Sequence, residues 1–337
     1  MEKAFNHILI ARTDSIGDVM LTLPTCGVIK KYFPDCRITF LGKNYTKDII
    51  GACSHVDHFL NADELFAMDE KAQVALIQQG KYDAVVHVFP TKEVTAICKK
   101  ANIPLRIATT NRLFTWFTCN KKIHFSRKKS DLHESQLNMK LLRGLGLDFI
   151  PTLAEMSDYY GFSGDMGLIE KYQSERSFGK FRVLLHPLSK GSAINWSLAN
   201  FRKLIDLLPP DEFEMVVTGT SAEGDAIKKN WGAMPAGVID ATGKYSLKEL
   251  IAFISCGDAL IAASTGPLHI AAATGINAIG LYSNRRPIHP GRWRPLGKNA
   301  TVVTATNEPQ PGEELLISPE SIAQYLKNLS AARLTAK

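Results

Sequence analysis

The sequence predicts an α/β protein built from two doubly wound domains, and three observations lead there. Its 337 residues, 45% of them hydrophobic, suffice for two ordinary domains that each bury a core and would be unusual for one. Strand-length apolar runs separated by amphipathic stretches come in two sets, the rhythm of mostly parallel sheets covered by helices on both faces. Between the sets lies the glycine-rich break Tyr159-Tyr-Gly-Phe-Ser-Gly-Asp-Met-Gly167.

In the first set, residues 7–12, 37–41 and 82–89 read as short buried strands. In the second, residues 181–186, 214–218, 258–263 and 278–282 do so, with helical patterns at 198–208 and 247–255 between them. The expected plan is a first domain over 1–160, a linker over 161–180, a second domain over 181–317, and a last helix and tail over 318–337. No internal repeat or low-complexity segment is evident.

Composition narrows the function classes. The longest apolar runs, such as 258–263, fall well short of the ~20 residues that span a bilayer. The N-terminus runs straight into a strand without the apolar stretch and cleavage site of a signal peptide, so a cytoplasmic protein is expected. Six cysteines form no C-x-x-C pair and have no histidine at metal-ligand spacing; neither disulfides nor a metal site nor a bound cofactor is expected. The net charge of +7 is concentrated in residues 92–129, where ten Lys or Arg face Glu93 alone. Such a stretch suits an anionic partner, either a phosphorylated acceptor or the anionic face of the inner membrane, or else is a solvated surface. Nucleic acid fits less well, because Phe114, Trp116 and Phe117 form one local cluster with no nucleic-acid-binding motif.

In doubly wound sheets ligands sit beyond the carboxyl ends of strands, so the loops after the first strand of each half carry the candidates. Arg12-Thr-Asp-Ser-Ile-Gly-Asp18 joins strand one to a helix expected to start near Val19 and to be perturbed at Pro24. Gly17 allows a tight turn, Asp14 or Ser15 can bond free N–H groups, and Asp18 stands at the mouth of the sheet. There it can serve as a general base, or merely cap the helix and favour its positive end. In the second half, Ser189-Lys-Gly-Ser192 follows a strand and precedes a helix whose N-cap is Ser197. Small residues flanking Lys190 suit a diphosphate, although a plain surface loop would read the same way. Residues 262–275 end a buried strand, cap with Ser264 or Thr265, place Gly266 and Pro267 in the first turn and stop at Gly275. That helix N-terminus can hold phosphates, and His269 either faces the ligand or belongs to the core. Arg285, Arg286, His289, Arg292 and Arg294 follow the next strand and can meet phosphate or acceptor, or form an exposed basic loop.

Taken together, these segments resemble glycosyltransferase family 9, the ADP-heptose:lipopolysaccharide heptosyltransferases, from Ile8 to about Gly297. The marks are Arg12-x-Asp-x-Ile-Gly-Asp-Val-x-Leu-Thr-x-Pro24; His186-Pro with Trp196 and Asn200-Phe201; Thr218-Gly-Thr; and Ser264-Thr-Gly-Pro-Leu-His-Ile-Ala-Ala-Ala-x-Gly275 leading to Trp293-x-Pro-Leu-Gly297. The resemblance implies a GT-B type fold, two Rossmann-like domains facing a central cleft, with a C-terminal helix packing back on the first domain. It implies an inverting, metal-independent transfer of heptose from ADP-heptose to a lipopolysaccharide or lipooligosaccharide core-type acceptor, an anionic glycolipid. Asp18 then takes the proton from the acceptor hydroxyl. Ser189, Lys190, Gly191, Ser192, Thr218, Ser264, Thr265, Gly266, Pro267 and His269 become donor residues, and Arg12, Asp14, Ser15, Gly17, Lys121 and Lys122 acceptor residues.

Two departures stand out. Many members carry Lys two residues before the tryptophan, where this chain has Ile194, leaving Lys190 as the substitute. Several carry Asp where this chain has Ser264. Three rival readings follow: the same chemistry with another nucleotide-activated sugar, a non-catalytic nucleotide-sugar-binding protein, and a Rossmann oxidoreductase. Retention of Asp18 opposes the second, and the lack of a G-x-G-x-x-G after a strand opposes the third.

Overall fold

Continuous aliphatic runs of five or six residues cannot alternate between water and core, so both faces of the strands they form must be covered. The computed structural model, which describes residues 4–189, 191, 193–309 and 313–335, shows this in two units divided between Phe162 and Ser163.

In the first unit, β1 (His7–Ala11) is buried at every position. Around it stand β2 (Arg37–Gly42), β3 (His58–Asn61), β4 (Ala84–His87), β5 (Leu105–Thr109) and β6 (Lys121–Ile123), in the order β3-β2-β1-β4-β5-β6 with all pairings parallel. Ile10 lies opposite Phe40 on one side and Val86 on the other. Leu9, Leu41 and Val85 share a core with Val94, Ile97 and Ile77 from covering helices. Helix Leu23–Tyr32 lies against the segment Glu155–Tyr159, an approach that requires Gly27, since a Cβ there would stand 2.1 Å from the Tyr159 carbonyl oxygen.

The second unit repeats the plan. Its strands β7 (Phe181–His186), β8 (Phe213–Val217), β9 (Ile239–Asp240), β10 (Ala259–Ala263), β11 (Asn277–Tyr282) and β12 (Ala300–Thr304) run in the order β12-β11-β10-β7-β8-β9, again all parallel. Counted within the unit this is the first sheet's order read from the opposite edge. The strand order therefore reverses between β1 and β4 in one unit and between β7 and β10 in the other, the places where doubly wound sheets hold ligands.

The structure amends several expectations. Strands β3, β5, β6, β9 and β12 were not foreseen; they are short, lie toward the sheet edges, or are broken by polar residues such as Arg106. The first helix begins at Ile16 and not near Val19, because Ser15 supplies the N-cap, and Gly17 is an ordinary residue within it. The break comes at Leu21 and Thr22, ahead of Pro24, which sits in the first turn of the next helix. Residues 163–180 form part of the second unit: helix Met166–Ser174 seats the buried Tyr172 against Tyr245 and Phe253, with ring centroids 5.3 and 5.5 Å apart. The last helix spans Pro319–Thr335, and Lys203 to Glu320, Tyr325 to Thr301 and Arg333 to Asp258 tie it to the second unit.

Candidate active site

The loop after β1 is organised by a buried guanidinium. Arg12, only 2% exposed, donates through Nε to Asp14 Oδ1 at 2.6 Å, through Nη2 to Asp18 Oδ1, and through Nη1 to Glu134 Oε1 at 3.3 Å. Glu134 and Asn138 are one turn apart on helix Glu134–Met139, so they project together. Arg127 completes the cluster, donating to Glu134 Oε1 at 2.6 Å and to the Val88 carbonyl at 2.7 Å. Two guanidiniums thus face three carboxylates. Burial disfavours the Arg12 charge, but Asp14, Asp18 and Glu134 outweigh it and hold its pKa above the ordinary range. Burial, aided by Asp18, raises the pKa of Asp14 despite the attraction of Arg12.

Asp18 sits in the first turn of helix Ile16–Met20, half-buried at the reversal point of the sheet. Its Oδ1 is fixed by Arg12, while Oδ2 accepts from the exposed Ser15 hydroxyl at 2.5 Å. Asp14, with Thr13, Lys43, Asp63, Phe66, Phe89, Thr91 and Glu93, lines a cavity of about 320 Å³ at the carboxyl ends of β1 to β4. The Phe89 ring lies between two cations, Arg12 at 5.6 Å and Arg112 at 5.4 Å from its centroid. Lys121 and Lys122, in contrast, stand on β6, three strands from β1, or roughly 14 Å across the sheet. The structure does not bring them to Asp18.

At the reversal point of the second sheet, the Thr218 hydroxyl donates to the Leu185 carbonyl at 3.0 Å and so accepts from His186 Nδ1 at 3.1 Å. Burial lowers the His186 pKa, which leaves a neutral ring whose Nε2 is the acceptor. Helix Gly266–Thr274 starts beside it after β10, with Pro267 in its first turn and Gly275 (φ 88°) as its left-handed stop. Thr265 occupies the N-cap position but makes no capping bond, and its buried hydroxyl has no hydrogen-bond partner among the described residues. An uncapped helix start with an unsatisfied buried hydroxyl is a place where an anion would be welcome. Ser264 bonds to the Tyr282 hydroxyl, and His269 is buried. Arg285 donates to the Pro309 carbonyl, and Arg292 stacks 4.9 Å from the Trp293 ring centroid.

The loop after β7 is pinned by Ser189, whose hydroxyl reaches the Ala193 carbonyl and Asn195 Oδ1, with Gly191 at φ 80°. Lys190 and Ser192 lie outside the described residues. Trp196 is a core residue, edge-on to Phe201 and donating to the Ile317 carbonyl at 2.9 Å, and Ile194 packs against the same core. Ser197 caps the following helix as expected.

The family model described as glycosyltransferase family 9 (heptosyltransferase) matches residues 72–316, most of the chain. The chain belongs to glycosyltransferase family 9. It is therefore a glycosyltransferase, an enzyme that moves a sugar. It is 27% identical over 338 residues to a Haemophilus influenzae protein named as a glycosyltransferase, covering 96% of this chain and 97% of that one. It is 24% identical over 301 residues to lipopolysaccharide heptosyltransferase 3 of Escherichia coli, covering 84% of each. The solved structure of Escherichia coli ADP-heptose lipopolysaccharide heptosyltransferase II shares its fold with a TM-score of 0.78 at 15% identity, over 97% of this chain and 99% of that one. Two parallel six-stranded sheets with covering helices are the α/β fold of that family.

Sequence reasoning missed Glu134, Asn138 and Arg127, which hold the family 9 Arg12 in place from more than a hundred residues away. No local spacing links them to the loop after β1. It also missed Phe89 and Thr91, although they end the foreseen strand at 82–89 and the strand-end rule that found Asp18 would have found them.

Proposed function

We propose that this family 9 enzyme transfers heptose from ADP-heptose to a lipopolysaccharide or lipooligosaccharide core-type acceptor, with inversion, without metal, and with Asp18 as general base. The observation that carries this reading is the division of labour at Asp18: Arg12 orients one oxygen, and among the described residues an exposed hydroxyl is the one group on the other. An acceptor hydroxyl that replaces Ser15 at Oδ2 lies within proton-transfer reach. As Asp18 takes its proton, the acceptor oxygen attacks the anomeric carbon opposite ADP, the bond from that carbon to the diphosphate oxygen breaks, and ADP leaves with the electron pair. The cavity beside Asp14 supplies what a sugar ring needs, aromatic faces from Phe66 and Phe89 and polar groups from Lys43, Thr91 and Glu93.

In the second unit the diphosphate is placed at the start of helix Gly266–Thr274, where free N–H groups, the helix dipole and the Thr265 hydroxyl take up its charge. Lys190 supplies the cation that Ile194 does not. The names of the relatives support the heptose and lipopolysaccharide assignments. The apolar Ile194 favours a second reading, the same transfer from another nucleotide-activated sugar. Calorimetry with ADP, UDP, GDP and ADP-heptose in the presence of EDTA, on the wild type and Lys190→Ala, tests both. ADP-heptose is expected to bind best and Lys190→Ala to weaken it; preference for another nucleotide sinks the donor assignment, and a strict need for added metal sinks the proposed mechanism.

A further inference from the structure

The aromatic cluster of the basic stretch and the lysines around it take no part in the chemistry proposed above, yet they carry an unusual surface. On the short helix Leu113–Thr118, Leu113 is 78% exposed, Trp116 54% and Phe117 71%. Spaced i, i+3 and i+4, the three lie on one face. The residue turned inward is polar: Thr115 is buried, its hydroxyl donating to the Thr109 carbonyl at 2.9 Å and the Arg112 carbonyl at 2.6 Å. The usual surface helix buries its apolar face and wets its polar one, so this helix is inside out with respect to water. Its orientation is fixed by those bonds and by Trp116 Nε1 donating to the Thr110 carbonyl at 3.1 Å.

The surroundings are cationic. Arg112 precedes the helix, the exposed Lys121 follows it, and Lys122 stands 5.5 Å from the Trp116 ring centroid. Lys99 and Lys100, exposed at the end of the helix packed against it, extend the field, with Glu70 paired to Lys100. Arg112 also stacks on Phe89, which lines the cavity beside Asp14. Arg112 therefore connects the start of this helix to the cavity proposed above for a sugar ring.

We propose that helix Leu113–Thr118 docks the enzyme on a bilayer with anionic headgroups. Leu113, Trp116 and Phe117 enter the interface, while Arg112, Lys121 and Lys122 meet the phosphates. A soluble anion would need the cations alone and an apolar partner groove would not need the cationic rim; the interface of an anionic bilayer uses both.

Binding is measured by cosedimentation with phosphatidylcholine vesicles with and without phosphatidylglycerol, with no donor or acceptor present, so the result is independent of the transfer reaction. Wild type is expected to bind the phosphatidylglycerol vesicles, less so as salt is raised, with Trp116 quenched by brominated acyl chains. The Leu113→Ser/Phe117→Ser variant changes exposed residues only and should keep its circular dichroism and thermal midpoint while binding about tenfold more weakly. Lys121→Gln/Lys122→Gln should reduce the dependence on phosphatidylglycerol. Equal binding by wild type and the Leu113→Ser/Phe117→Ser variant, or no binding of wild type to either vesicle, overturns the proposal. So does a lipid-independent dimer that this variant dissolves, which would make the face a contact between copies.

Discussion

Asp18 receives two hydrogen bonds of different character, one from a buried guanidinium that Asp14 and Glu134 also hold in place and one from a solvent-exposed hydroxyl. The first sets direction and the second is replaceable. Asp18→Asn keeps the shape but cannot take a proton, and is expected to cut turnover by about 10² to 10⁴-fold while calorimetric affinity for ADP stays unchanged. Glu134 is shared by Arg12 and Arg127, so Glu134→Ala removes a carboxylate from beside both cations in a poorly hydrated place. A loss of about 3 kcal/mol in urea unfolding is expected, and a loss no larger than that of a surface substitution would show that water replaces the carboxylate. As candidates, Asp18 and Thr265 were legible in the sequence because each lies on the connection that follows a central strand. Glu134, Asn138 and Arg127 were not, because only the fold brings them to Arg12, and the stacking of Arg112 on Phe89 likewise has no local signature.

Strand β4 ends in His87, fully buried, with no hydrogen-bond partner for either ring nitrogen among the described residues. Burial, with a smaller push from Arg106, depresses its pKa from 6.5 to about 3. An unfolded chain protonates this group once the pH falls below 6.5, whereas the native state resists until about 3. Its contribution is complete above that upper value and is lost between the two as the pH falls, at up to ~1.4 kcal/mol per pH unit. His87→Leu should flatten the acid limb of stability, read from urea unfolding at a series of pH values; an unchanged slope would mean that His87 finds a proton in the native state. The central strands were legible because their apolar runs are continuous. The strands toward the sheet edges were not, since strands that are less fully buried can carry residues such as Arg106, Lys121 and Lys122 that break the pattern. The early start of the first helix was hidden in Ser15, a capping residue whose role depends on which hydroxyl the backbone selects.

Across the whole molecule, one strand order serves twice, and the candidate residues of each unit stand near its reversal point. Two doubly wound units were legible in the two sets of apolar runs, but the strand order they share was not, because a sheet order is a matter of pairing and leaves no repeat of residues. With donor binding assigned to the second unit, ADP at a hundred times its dissociation constant should stabilise that unit by ~2.7 kcal/mol. Hydrogen exchange should slow around β7, β10 and the start of helix Gly266–Thr274 and stay unchanged around β1; protection centred on β1 instead would reverse the assignment. The loop that carries Ser189 is also tied to the end of the chain: Leu315 N–H donates to the Asn195 carbonyl, and Trp196 to that of Ile317, just before the last helix. A premature stop codon at that point would delete no residue of either candidate site. It would nonetheless release the strap beneath the donor loop, and an allele truncated there should behave genetically like a donor-binding mutant.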